Sequence, residues 1–155
     1  MERIRSARPL QLLGAATLAA GVLLACRAGT EPNLAEISGS WDYVETFTNV
    51  QYRMSCVDSG TYTLRQAGED FVGEYGQRGV CRTPTGNADN ADSGSVSEGH
   101  VVGRTLRFRA PNCAYDGAVD DTAHTSITGR VECVLTDPNP PHLHLTFSGT
   151  WQASR

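Results

Sequence analysis

The chain has no lysine. All 13 of its basic residues are arginine, set against 17 acidic residues for a formal net charge of −4. Nucleic-acid binders present clustered positive charge to the phosphate backbone, so this balance argues against nucleic acid as a partner. Other signatures are missing too. There is no Gly-x-Ser-x-Gly elbow, HExxH pair or SxxK tetrad, and nothing orders the serines and histidines into a catalytic triad. Asp120 and Asp121 are adjacent in a loop, where solvent keeps both ionised instead of splitting them into an acid and a base. No CxxC occurs, which removes both a dithiol redox centre and a zinc knuckle. Beyond the N-terminal segment, no stretch sustains apolar residues at helical spacing for three turns. What remains is 155 residues, enough for one modest core, with a 39% hydrophobic and 19% charged composition that does not suit wholesale disorder.

The N-terminus is the most specific segment. Arg3, Arg5 and Arg8 precede sixteen uncharged residues, Leu10 to Ala25, the layout of an export signal. As a helix those sixteen residues span about 24 Å, short of the roughly 30 Å hydrocarbon core, so a cleaved leader fits better than a membrane span. The leader ends Leu23-Leu24-Ala25-Cys26. This resembles the lipobox of bacterial lipoproteins, with a large aliphatic residue three before the cysteine and a small residue just before it. The resemblance implies cleavage after residue 25 and acylation of Cys26, with two or three chains giving a firm anchor at about 0.8 kcal/mol per buried CH₂. It also implies an extracytoplasmic, lipid-anchored location in the cell envelope, at the periplasmic leaflet of an outer membrane or at the cell surface. Arg27 is not the Asp that causes inner-membrane retention in that family. Losing residues 1–25 leaves 10 arginines against 16 acidic residues, a net charge of −6. Residues 26–36 then read as lipidated cysteine and short tether, and 37–153 as a single domain.

Assigning Cys26 to lipid makes the cysteine count even. Cys56, Cys81, Cys113 and Cys133 remain, and in an oxidising compartment they read as two disulfides with three pairings open. A hairpin turning near His124 and Thr125 places 113 roughly opposite 133, which favours Cys113–Cys133 and so Cys56–Cys81.

The domain alternates with period two. Ile37, Gly39, Trp41 and Tyr43 share a face, as do Ile127, Gly129, Val131, Cys133 and Leu135, and again Leu143, Leu145, Phe147, Gly149 and Trp151. Strands with one dry and one wet face are antiparallel strands. A short motif recurs within them: ISGSW (37–41) returns as FSGTW (147–151), with looser relatives such as FVGEY (71–75) and ITGRV (127–131). Repeated strand glycines on the apolar face imply tight coiling across a small interior. The expected fold is therefore all-β, a small antiparallel up-and-down β-barrel of eight or nine strands with two disulfides; a β-sandwich satisfies the same alternation. Turns are expected at Gln66–Asp70 and Pro111-Asn112, and a long mobile loop at Thr83–Ser95, rich in Asn, Asp, Gly and Ser. Barrel closure would lay ISGSW and FSGTW side by side. The Gly39-Ser40-Trp41 tripeptide and the meander resemble avidin-like and lipocalin-like barrels, which bind small molecules in the barrel mouth; the likeness is one of layout.

Candidate sites follow from the placement of special residues. Trp41, Tyr43, Tyr62, Tyr75, Tyr115 and Trp151 are the aromatics available for a core or a ligand pocket. His142 and His144 share a strand face, but without a third ligand they make no metal site, and no metal or other cofactor is expected. The run Asn87–Asp92 has oxygen ligands, yet its offsets to Gly94 and Glu98 break the EF-hand pattern. Arg104, Arg107 and Arg109 form a small basic patch, which surface ion pairing explains. The expectation for function is a membrane-tethered extracytoplasmic protein that binds a small molecule or an envelope protein. A solid-cored structural envelope protein without a cavity is the alternative, and an enzyme a distant third.

Overall fold

The computed structural model describes residues 34–120, 123–136 and 144–155, and among these there is no helix. Eight strands close into one barrel in chain order: β1 (Gly39–Asn49), β2 (Met54–Ala67), β3 (Asp70–Thr83), β4 (Gly86–Val102), β5 (Thr105–Ala110), β6 (Cys113–Val119), β7 (Ser126–Thr136) and β8 (His144–Ser154). Each strand is antiparallel to its neighbours, and β8 returns to β1 from Asp42↔Ser154 to Thr48↔Ser148. The fold is thus the up-and-down barrel and not the sandwich. Alternation drives it. In β1, Trp41, Tyr43, Glu45, Phe47 and Asn49 point inward between exposed Asp42, Val44, Thr46 and Thr48. Eight strands enclose an interior that side chains just fill, or that holds one small ligand.

One end of the barrel is closed by the chain's own entry. Ala35 and Ile37 are fully buried there. The Ala35 N–H donates to Gly103 O at 2.8 Å, and the Ile37 N–H donates to Gln66 Oε1 at 2.8 Å. Trp41 Nε1 donates to Ile37 O at 2.8 Å, while the guanidinium of Arg155 lies 4.5 Å over the Trp41 ring. Arg155 also donates to Ser38 O at 2.7 Å and Glu36 O at 3.0 Å, so the last residue locks the entering segment in place. Leu34, Ala35 and Arg155 thus pack with the barrel.

Both disulfides have the expected pairing, Cys56–Cys81 and Cys113–Cys133. Each joins residues directly opposite on neighbouring strands, with Cα atoms 4.0 Å apart. Both sit toward the end opposite the Ile37 plug.

Two sequence expectations need correction. Residues 83–95 are not a loop: a turn at Pro84-Thr85 leads into β4, which spans 17 residues. β4 pairs with β3 along this whole stretch, but with β5 only from Ser97 onward. Its first half overhangs the barrel with most residues exposed on both faces, so it carries no apolar alternation. ISGSW and FSGTW lie on adjacent strands but do not face each other. In the antiparallel register Trp151 opposes Glu45, and Phe47 opposes Gly149. The turns at Gly68-Glu69 and Pro111-Asn112 fall where expected.

Candidate functional site

Among the described residues, the end opposite the plug is open. A cavity of about 260 Å³ lies within the barrel mouth. Its apolar wall includes Phe47, Met54, Ala110, Leu145 and Phe147, and the sulfur bridges Cys56–Cys81 and Cys113–Cys133 stand in its rim. Its polar lining is Glu45, Gln77, Asn90 and Asp92 together with Tyr75 and Tyr115. Small-molecule sites combine this kind of apolar wall with a few convergent polar groups, and commonly enclose roughly 300–1,000 Å³.

The floor is aromatic. Tyr62 is buried at the centre of a ring cluster, stacked on Tyr43 at 4.0 Å and edge-on to Phe108, Tyr115 and Trp151 at 5.4, 6.2 and 6.2 Å. Phe108 and Tyr115 stack at 4.5 Å. Trp151 sits over the paired glycines Gly117 and Gly129, where added Cβ atoms would come within 2.8 Å and 2.6 Å of its ring. The glycines are thus seats for the ring. The six aromatics named from the sequence are all buried, but they divide. Trp41 belongs to the closed end; Tyr43, Tyr62 and Trp151 form the floor; Tyr75 and Tyr115 border the cavity.

Two carboxylates were missed. Glu45 is 2% exposed and Asp58 is wholly buried. Both were legible as inward-facing: Glu45 continues the parity of Trp41 and Tyr43, and Asp58 lies between inward-facing Cys56 and Gly60. Tyr115 donates to Glu45 Oε2 at 3.0 Å, and no other hydrogen bond reaches Glu45 among the described residues. Burial, reinforced by the charge of Asp58, pushes Glu45 up to about 7, against the opposing Tyr115 hydrogen bond. Asp58 Oδ2 accepts from Asn90 Nδ2 at 2.5 Å and Gln77 Nε2 at 3.1 Å, while Oδ1 has no partner. Burial raises Asp58 as well, and the Asn90 bond opposes the rise. Gln77 Oε1 in turn accepts from Tyr43 at 2.9 Å, and Tyr75 donates to Asp92 Oδ2 at 2.6 Å. The Tyr62 hydroxyl is buried without a hydrogen bond of good geometry, and desolvation holds it well above the usual phenol range. The cavity lining contains no Arg, Lys or His among the described residues.

The remaining candidates do not converge. His144 is exposed beside Thr136 at the mouth end, with Nδ1 3.1 Å from Thr136 Oγ1. His142 lies outside the described residues, as does Asp121. His100 and His124 are at the closed end, His100 beside Asp70 at 3.1 Å and His124 accepting from the Glu36 N–H at 3.2 Å. No group of three metal-ligating side chains comes together among the described residues. Asn87–Asp92 is strand, with Asn90 and Asp92 engaged as above. Arg107 and Arg109 share an outer groove with Asp70, Glu98, His100 and Asp116, and Arg109 pairs with Glu98 at 3.2 Å; Arg104 lies in the β4–β5 turn. No protein-family model, no curated protein and no solved structure matches the chain.

Proposed function

We propose that this protein is a lipid-anchored binding protein of the bacterial cell envelope, tethered outside the cytoplasm through Cys26, which takes a small molecule into its barrel mouth. One observation carries the binding half: the 260 Å³ cavity with an apolar wall and buried polar groups at its base. It favours binding over the solid-cored structural role. Evidence for the anchor is the leader ending Leu23-Leu24-Ala25-Cys26. The two halves fit together sterically. The described chain enters at the closed end, so a tether from Cys26 would join the barrel at that end and not at the mouth. From Cys26 to Leu34 the chain reaches at most about 29 Å.

Intact-mass analysis of the membrane-extracted chain, before and after reduction, tests the anchor. The expected species begins at Cys26, carries acyl mass and gains the mass of four hydrogen atoms on reduction of its two disulfides. An unlipidated chain beginning elsewhere overturns the anchor. Thermal unfolding against a small-molecule panel tests the pocket: a ligand at about 100 times its Kd adds roughly 2.7 kcal/mol, several degrees in Tm. Ligand-induced shifts that persist after the cavity is filled by Ala110→Phe overturn the mouth as the site.

A further inference from the structure

The interior of the mouth has an unbalanced charge. Glu45 comes from β1 and Asp58 from β2, and each is at least nine-tenths buried. The groups that face Glu45 from other strands are Asp58 and Tyr62 of β2, Tyr75 of β3 and Tyr115 of β6, with Tyr43 on its own strand. Tyr75 is itself tied to Asp92 of β4. All of these are acids or phenols. A buried carboxylate ordinarily has a cationic partner or a full set of donors. Asp58 has two amide donors on one oxygen, and Glu45 has one phenol. Among the described residues the other Glu45 oxygen has no hydrogen bond, and the residue lines the cavity. Four rings, Phe47, Tyr75, Tyr115 and Phe147, line the same space. Carboxylate and ring faces together are the chemistry that recognises an ammonium group, by charge and by cation–π attraction. An anion would meet the carboxylates of Glu45 and Asp92 in the cavity lining and, among the described residues, no positive charge.

We propose that the mouth binds a small organic cation, an ammonium group on a compact apolar body, with the charged head at the unpartnered oxygen of Glu45 and the body among Phe47, Tyr75, Tyr115 and Phe147. The proposal deepens the binding reading above and rests on it. The ligand supplies the counter-charge that the fold leaves out. Because binding needs Glu45 ionised, and burial holds Glu45 near 7, the cation must displace a proton at lower pH.

Three probes of matched shape test this on the full-length, membrane-extracted chain: 2-phenylethylamine, the neutral 2-phenylethanol and the anionic 3-phenylpropionate. Affinity is read by calorimetry at about pH 8 and about pH 5.5. At the higher pH the amine should bind at least tenfold more tightly than the alcohol, and the acid should not bind. Between the two pH values the amine should weaken roughly 30-fold, while the alcohol stays constant. Glu45→Gln should bring the amine down to the affinity of the alcohol and abolish the pH dependence of amine binding. If E45Q does not fold, the pH series on the unaltered chain decides. An alcohol or acid that binds as tightly as the amine, or an amine affinity flat with pH, overturns the cation and leaves the pocket standing. Failure of all three probes overturns the pocket as well.

Discussion

Glu45 is the residue on which stability and binding pull in opposite directions. Its carboxyl ordinarily titrates near 4.5, and burial lifts it to about 7 in the folded chain. Between those values the folded state keeps a proton that the unfolded state has released. Its contribution to stability is therefore intact below about pH 4.5 and is lost as pH rises through 7. A displacement of that size corresponds to roughly 3 kcal/mol. We expect Glu45→Gln, which keeps the shape and the Tyr115 contact while removing the charge, to be more stable than the unaltered chain above about pH 7 by an amount of that order. Below about pH 4.5 the two should be alike. Urea unfolding of both proteins across the pH range checks this, and the difference between them isolates Glu45, with its coupling to Asp58, from Glu36, whose displacement is common to both. A difference that does not vary with pH would mean the carboxyl is solvated. A residue that lowers stability at neutral pH and yet sits in a cavity has the profile of a functional group retained against folding.

At the scale of the strand, glycine spacing correctly pointed to curvature, but the glycines of the recurring motif do different things. Gly39 has a φ of +118°, a conformation that side-chain-bearing residues rarely adopt. Gly129 instead lies against the Asp116 carbonyl and the Trp151 indole, with no room for a Cβ. Gly129→Ala must push Trp151 off its seat, and we expect about 1–3 kcal/mol of destabilisation with loss of tryptophan order. Gly76 is the control: a Cβ there meets nothing within 4 Å, so Gly76→Ala should stay within about 0.5 kcal/mol. Chemical denaturation monitored by tryptophan fluorescence separates the two, and equal effects would refute the packing explanation. The same scale shows why β4 was illegible. Period-two patterning reports a strand only where one face is dry and the other wet. The overhanging half of β4 has little dry face, and its inward residues Asn90 and Asp92 meet polar groups. Asp89 and Asp92 lie along a stretch that β5 leaves unpaired, and charge there discourages pairing with another chain. Alternation extended along β1 and β2 puts Glu45 and Asp58 inward, but a single sequence does not say that no cation will join them, because that depends on which strands face them across the barrel.

The whole molecule has two ends built on different principles. The closed end is held by non-covalent contacts: the buried Ala35 and Ile37, the Trp41 hydrogen bond, and Arg155 clasping the carbonyls of Glu36 and Ser38 while covering the Trp41 ring. The mouth cannot be filled in this way without losing its cavity, and there the strands are joined covalently, β2 to β3 and β6 to β7. Cysteine parity and hairpin geometry made those bridges readable from the sequence; the clasp was not readable, because it joins residues 117 and 119 positions apart. If the division is real, damage at the two ends has separable consequences. Arg155→Ala should lower stability by about 1–2 kcal/mol, from two lost hydrogen bonds and a cation–π contact, while 2-phenylethylamine affinity changes less than twofold. Replacing Cys113 and Cys133 together by Ser removes a bridge with a sequence separation of 20. Closing a loop of that order is worth about 3 kcal/mol, and the stability loss should be similar. Unlike the Arg155 change, this one also loosens the wall that carries Tyr115, the hydrogen-bond partner of Glu45, so amine affinity should fall several-fold at a temperature where the variant remains folded. Denaturation and calorimetry on both variants measure the two effects side by side. A loss of amine affinity in Arg155→Ala equal to that in the double serine variant would mean that the ends are coupled, and that the plug, as well as the rim, shapes the mouth.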